Sequence, residues 1–239
     1  MESVSFPPPD SNGIIRHFST ELSAENLGRE KAFGRFAWMY DLAQNYWVRP
    51  RIHMADTRRH GEILAAMLNP FQECAVLDIA CGTGAAIAYL DRSSRYTGLD
   101  LSYPMLRRAL KKARGKNFAA ARFIQGNAEE LLFAAETFDL VVLDTALHMI
   151  ADYKKTLAAI SRVLKKEGVL VCSVPVTGIN AHFDIRWRRI AEPRGLHSLT
   201  VDDLAAACGA NQLVFTRIAD NGGVLYFQGL KLGREQSTP

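Results

Sequence analysis

From about residue 70 onward the chain alternates short apolar runs with amphipathic stretches, the rhythm of strands alternating with helices. Strands are expected near 74–79, 95–100, 120–125, 138–143 and 167–174, and their alternation with helices favours a parallel sheet covered on both faces. The segments between them read as the covering helices. The plainest spans Asp152 to Lys165: Leu157, Ile160, Val163 and Leu164 share one face, lysines lie elsewhere, and Gly168 follows the end. A further helix is expected at about 200–207. The pattern then changes, because Leu213–Ile218 and Val224–Leu232 flank Asp220-Asn-Gly-Gly223, a turn signal for an antiparallel hairpin.

Ahead of this unit, from Gly28 to Leu68, apolar residues recur at helical spacing. They are Phe33, Phe36, Ala37 and Tyr40, then Ile52, Ile63, Leu64, Met67 and Leu68, with Pro50 interrupting. Residues 28–69 are therefore expected to form a helical cap on an α/β domain at 70–232. Residues 1–27 and 233–239 read as mobile tails, since the extreme ends are polar or proline-rich and show no period.

Composition narrows the class. The 239 residues are 48% hydrophobic and 23% charged, enough to build a sizeable core in one domain. A formal charge of +4 is too small for a nucleic-acid footprint. The basic run Arg107, Arg108, Lys111, Lys112, Arg114 and Lys116 reads as a solvated helix face, so no nucleic-acid partner is expected. Cys74, Cys81, Cys172 and Cys208 lack CxxC spacing and sit among apolar residues, which predicts reduced thiols, no disulfide and no zinc or other metal. The proline-rich start has no apolar stretch of signal-peptide length. No uncharged run approaches the roughly 18 residues of a spanning helix. A cytoplasmic location without an integral membrane segment is the expectation.

The densest chemical signal follows the first strand. Ala75-Val-Leu-Asp78 enters Ile79-Ala-Cys-Gly-Thr-Gly84 and then a helical run, Ala85 to Leu90. Glycines let backbone approach a ligand, and a following helix would offer free N–H groups to an anion. Asp100 ends the next strand, in Tyr96-Thr-Gly-Leu-Asp100, where a carboxylate can accept both hydroxyls of a ribose. A dinucleotide turn would want a third small residue where Ile87 stands.

Taken in order, the motifs resemble those of the class I S-adenosylmethionine-dependent methyltransferases. Val76 to Gly84 is similar to their first motif, and Gly98 to Leu106 to the ribose-binding strand end. Gly126-Asn-Ala-Glu-Glu130 is similar to the adenine-binding segment. Phe138 to Asp144 with Ala146 to Ile150 resembles the fourth strand and its active-site end, and Val163 to Leu170 the turn into the fifth. The resemblance covers about residues 70–232. It implies a Rossmann-like, seven-stranded, mostly parallel sheet with the C-terminal antiparallel hairpin and N-terminal helical cap, and S-adenosylmethionine as cofactor. It assigns Asp78, Ala80, Gly82 and Thr83 to the methionine end, Asp100 to the ribose, and Leu101, Asn127 and Ala128 to adenine. Asp144 falls beneath the methionine portion. Ala80 stands where a glycine is usual and Asn127 where an aspartate is, which puts affinity in question. Turn or helix caps are the plain alternative for Asp78 and Asp144, and a core contact for Leu101.

Methyl transfer is chiefly alignment, and a base is needed only for a protonated acceptor. His148, after the fourth strand, is the expected base, or else simply a packed histidine. Phe36-Ala-Trp-Met-Tyr-Asp41 resembles the N-terminal segment of ubiquinone and menaquinone C-methyltransferases, which nominates Tyr40, and less so Trp38, against ordinary core packing. In Phe183 to Ile190, Arg186, Arg188 and Arg189 surround Trp187. They would either hold an anionic or lipid-like acceptor, with peripheral membrane contact, or form a surface amphipathic helix with Trp187 tucked inward. A small-molecule or lipid-like acceptor follows from the resemblance; a noncatalytic cofactor-binding protein and a nicotinamide-dependent oxidoreductase are the competing readings.

Overall fold

The computed structural model describes residues 6–18, 22, 24–118 and 120–233, so the outermost parts of both expected tails, 1–5 and 234–239, lie outside the described residues. Strand β1 (Ile14–Arg16) precedes the cap, which consists of α1 (Ala24–Phe36), a tight turn at Ala37–Met39, α2 (Tyr40–Ala43), a wider π-helical stretch at Gln44–Ile52, and α3 (Thr57–Leu68). Then follow β2 (Ala75–Ile79), β3 (Arg95–Asp100), α4 (Tyr103–Gly115), β4 (Ala121–Gln125), β5 (Phe138–Asp144), α5 (Tyr153–Val163) and β6 (Leu164–Thr177). The chain closes with α6 (Ala181–Ala191), β7 (Leu199–Thr200), α7 (Val201–Gly209), β8 (Leu213–Asn221) and β9 (Val224–Lys231).

The sheet runs β1-β4-β3-β2-β5-β6-β9-β8, with β7 also beside β6. Its seven central strands, from β4 to β8, are the expected ones. β9 lies antiparallel to both β6 and β8, and the remaining pairs are parallel. The path moves outward from β2 through β3 to β4, then returns to the other side of β2 as β5. This reversal opens a crevice beyond the C-terminal ends of β2 and β5, the general ligand position in such sheets.

Strand alternation sends side chains to two cores. Leu77 and Ile79 face a layer with Leu157, Ile160, Val163 and Leu204 of α5 and α7, whereas Val76 faces Leu64, Leu68, Leu106 and Ala109 of α3 and α4. β2 is wholly buried, which explains why it is apolar but for Asp78.

Three expectations are corrected. Ile14–Arg16, placed with the tail, forms a parallel edge strand on β4; three residues are too few to show a period, and it is the tertiary partner that supplies the hydrogen bonds. The helix expected through Lys165 ends at Val163, because Leu164 already pairs with Phe138 and the strand then turns through Glu167, at φ 62°, into Gly168. The run Ala85–Leu90 makes only a single 3-10 turn at Ala86–Ala88, so no long helix points at the crevice. The hairpin closes as expected at Gly222 and Gly223, with Gly222 in the left-handed region at φ 62°.

Candidate active site

The ends of β2, β3 and β5 deliver three carboxylates to the crevice. After β2 the chain turns through Ala80 (φ 52°), Gly82 (φ 54°) and Gly84 (φ 76°), all in the left-handed region. Alanine tolerates this only at a cost, a kind of strain that structures retain around ligand sites. The Gly82 N–H donates to Asp100 Oδ2 at 2.8 Å and the Ser102 N–H to Oδ1 at 2.8 Å. Burial pushes the Asp100 carboxyl up to about 6 against these two stabilising bonds. Behind the turn, buried Asp78 accepts from the Tyr96 hydroxyl at 2.7 Å, and burial raises its carboxyl to about 7. Thr83 donates to the carboxylate of Asp41 from the cap, which also faces Lys112 at 3.6 Å.

Asp144 behaves differently. Its Oδ1 accepts from Ser173 and from Thr145 Oγ1, the latter at 2.8 Å, and its Oδ2 lies 3.4 Å from His60 Nε2. Burial alone would raise this carboxyl, but His60 and Arg49 beside it and its hydrogen bonds outweigh it and hold Asp144 well below the carboxylate range. His60 Nδ1 sits 2.8 Å from the Tyr226 hydroxyl. One residue beyond Asp144, Thr145 takes φ 54°.

Two cavities meet across Tyr40, Ala80 and Gly82. The first is mostly apolar and includes Asp100, Leu101, Asn127, Ala128 and Met149 in its wall. The second, polar and about 320 Å³, includes Asp41, Arg49, His60, Asp78, Thr83 and Asp144. The Tyr40 ring lies over the turn, 3.8 Å from where a Cβ on Gly82 would sit, and its hydroxyl accepts from Gln44 Nε2 at 2.9 Å. Burial raises the Tyr40 hydroxyl to about 12, so it stays protonated. The side-chain oxygen of Asn127 already accepts from the Glu129 N–H at 3.1 Å, which leaves one lone pair for a ligand.

All nine residues assigned to the cofactor thus fall in the walls of these two adjoining cavities, and Tyr40 lies between them. His148 does not. It sits on the 3-10 turn Leu147–Met149, facing α6, with its ring 6.1 Å from His53 and 5.5 Å from Trp187. Its Nδ1 is buried without a partner, and burial, then His53, push its basicity far down. Neither cavity wall includes it: the chain leaving β5 places Asp144 and Thr145 in the polar cavity wall and His148 beside α6. Trp38 is likewise outside, exposed on the cap. In α6, Trp187 is buried and stacked on Phe183 at 5.3 Å, while Arg186, Arg188 and Arg189 face solvent. That is the amphipathic-helix alternative.

The sequence reading missed Asp41, Gln44, Arg49 and His60. A signal existed for His60, which shares the i, i+4, i+7, i+8 face of α3 with Leu64, Met67 and Leu68. For Arg49 there was none, since the π-helical widening around Pro50 breaks the 3.6-residue period that would have marked its face.

The donor set suits S-adenosylmethionine. Asp78 and Asp144 offer negative charge where its cationic methionine end would lie, Arg49 offers positive charge for a carboxylate, and Asp100 offers two oxygens to a ribose. An adenine would rest among Leu101, Ala128 and Met149. Residues 77–172 match the family described as Methyltransferase domain. YcgJ of Bacillus subtilis (strain 168), named an uncharacterized methyltransferase, is 29% identical over 165 residues, 66% of this chain and 65% of that protein. The demethylmenaquinone methyltransferase of Lactiplantibacillus plantarum is 35% identical over 137 residues, 55% of this chain and 58% of its own length. The malonyl-[acyl-carrier protein] O-methyltransferase of Pseudescherichia vulneris is 29% identical over 160 residues, 66% of this chain and 58% of its own. The chain thus spans less than two thirds of these relatives. In fold, the crystal structure of the Bacillus YcgJ superposes with a TM-score of 0.64 at 21% identity, covering 73% of this chain and all of that one. The matched region runs through the glycine turn and all three aspartates of the crevice, so residues 77–172 carry a domain similar to those of the S-adenosylmethionine-dependent methyltransferases, whose cofactor this crevice fits.

Proposed function

We propose that the chain transfers a methyl group from S-adenosylmethionine to a small-molecule or lipid-like acceptor. One observation carries this reading: the polar cavity under the cap adjoins the apolar cavity at Tyr40, Ala80 and Gly82, so a second molecule placed there meets the methionine end of the cofactor. Relatives named for demethylmenaquinone and for malonyl-[acyl-carrier protein] support an acceptor of this kind. In this reading residues 70–232 are the catalytic domain and 28–69 the cap that completes the acceptor side. Cytoplasmic residence goes with it, supported by four cysteines that are all free thiols.

When bound, the cofactor supplies an electrophilic methyl on a sulfonium, and the chain's own task is alignment. Asp100 fixes the ribose, Leu101, Asn127 and Ala128 the base, and Asp78, Ala80, Gly82 and Thr83 the methionine end. Asp144 presents a permanent negative charge to the cationic centre. Tyr40 closes over the turn and excludes water. His60, the imidazole in the cavity wall, holds Asp144 in place; with its Nε2 proton toward Asp144, the Tyr226 hydroxyl donates to Nδ1 and fixes the ring. Arg49 offers its guanidinium to the carboxylate of the methionine end.

Incubation with isotopically labelled S-adenosylmethionine and a cell extract, followed by mass spectrometry of labelled products, tests the reading. A labelled small molecule or lipid is expected. Cofactor binding without any labelled product would make the chain a noncatalytic binder, and binding of NAD in preference would make it an oxidoreductase.

A further inference from the structure

We propose that the outer face of the cap and the adjoining face of α4 form a docking surface for an anionic lipid bilayer. Half of this surface is apolar. Trp38, Leu42, Tyr46 and Trp47 are 69%, 60%, 70% and 58% exposed, all on the short helical stretch from Ala37 to Ile52. Folded chains seldom leave such a group of large side chains in water without a use. Indoles and phenols are the side chains that settle at a membrane–water boundary, with an apolar body and a polar tip. The Arg51 guanidinium lies 5.0 Å over the Trp47 ring, an arrangement that lets the stem follow the ring while the charge reaches a phosphate.

The other half is charge. α4 buries Met105, Leu106, Ala109 and Ala113 and turns Arg107, Arg108, Lys111, Arg114 and Lys116 to solvent. None of these five pairs with a carboxylate among the described residues. Lys112, at the seam, pairs with Asp41 of the cap, and α4 packs against α1 and the Ala37–Met39 turn. The basic row therefore lies beside the aromatic group. Cations near an anionic leaflet each add attraction, and exposed aromatics beside them add insertion. A nucleic acid would use the charge and leave Leu42 and the indoles unexplained, and a second copy of this chain would bring like-charged rows together. The bilayer is the occupant that uses both halves.

Tyr40, Asp41, Gln44 and Lys112 belong both to this region and to the polar cavity wall. A docked chain would thus present its acceptor cavity to the lipid phase. This last advantage rests on the methyltransferase reading; the docking does not.

The test is cosedimentation of the full chain with phosphatidylcholine vesicles, with and without about one third phosphatidylglycerol. Wild type should pellet with the anionic vesicles, and its tryptophan emission should shift to the blue. Binding should fall about tenfold or more both in Trp38→Ser/Trp47→Ser and in Arg107→Gln/Arg108→Gln/Lys111→Gln, with melting temperature and S-adenosylmethionine affinity unchanged. Wild type that stays in the supernatant, or variants that pellet like wild type, overturns the proposal. So does a dimer in analytical ultracentrifugation that the tryptophan variant abolishes without any vesicle binding, or tighter binding to an RNA oligonucleotide than to vesicles. Loss of methyl transfer with vesicle binding intact would sink only the enzymatic reading.

Discussion

The Gly82 N–H and the Asp100 carboxylate are joined at 2.8 Å, so the turn after β2 and the end of β3 are locked together before a ligand arrives. With Ser102 holding the second oxygen, the carboxylate is aimed by the backbone rather than by rotamer preference. Replacing Asp100 by Ala should weaken S-adenosylmethionine binding by roughly 1.5–3 kcal/mol, the worth of a hydrogen bond to a charged acceptor. Calorimetric titration of a variant with a native circular dichroism spectrum reads this directly; unchanged affinity would remove Asp100 from the ribose site.

Asp78 and Asp100 titrate in the folded chain at about 7 and about 6, above the ordinary 3.8, because burial penalises their charged forms. Raised folded values mean that their contribution to stability is full below about pH 4 and is lost as pH climbs through 6 to 7. S-Adenosylmethionine favours the ionised forms, so its affinity should increase from about pH 5 to about pH 8 and its binding should release protons. Calorimetry in two buffers of different ionisation enthalpy measures the release. A pH-independent affinity with no proton release would contradict it.

His60 and His148 separate a site role from a packing role. His60→Gln should cut turnover at least about tenfold by loosening the hold on Asp144. His148→Phe should keep activity and leave the protein as stable or about 1 kcal/mol more stable, since it removes a buried, unpartnered nitrogen from an aromatic cluster. The reverse pattern would place His148, rather than His60, at the reacting centre.

Tyr40→Ala should reduce acceptor or cofactor affinity at limiting concentrations more than it lowers the melting temperature, because the ring covers the glycine turn while sitting at the cavity boundary. Tyr40→Phe keeps the ring and should keep most of the effect. Wild-type kinetics in an equally stable Tyr40→Ala protein would retire the closing role.

The hairpin tip supplies a stability prediction. A Cβ on Gly222 would fall 2.0 Å from the Met54 carbonyl oxygen, and one on Gly223 would fall 2.2 Å from the buried Phe183 ring. Gly222→Ala adds left-handed strain to a clash with backbone and should cost more than about 3 kcal/mol by urea denaturation. A loss under about 1 kcal/mol would show that the cap shifts freely against the hairpin.

The sequence by itself determined the strands, because β2, β5 and the second half of β6 are mostly buried and mostly apolar, and the hairpin, because Asp220-Asn-Gly-Gly223 supplies a glycine for the left-handed position at its tip. Through its motifs it also marked Asp78, Asp100 and Asp144 as expected cofactor residues, at or next to the ends of β2, β3 and β5. Only the tertiary structure decided what faces what across the crevice. The order β3-β2-β5 is a choice of partners that no local period records, and it is this order that brings Asp78 and Asp144 together. The acceptor side was hidden for the same reason. Arg49 lies in a π-helical stretch with no 3.6-residue period, His60 meets Asp144 and Tyr226 at sequence separations of 84 and 166 (144 − 60; 226 − 60), and His148 follows the right strand but leaves it in the wrong direction. Burial and direction at a turn depend on which elements pack there, and packing is a property of the folded chain.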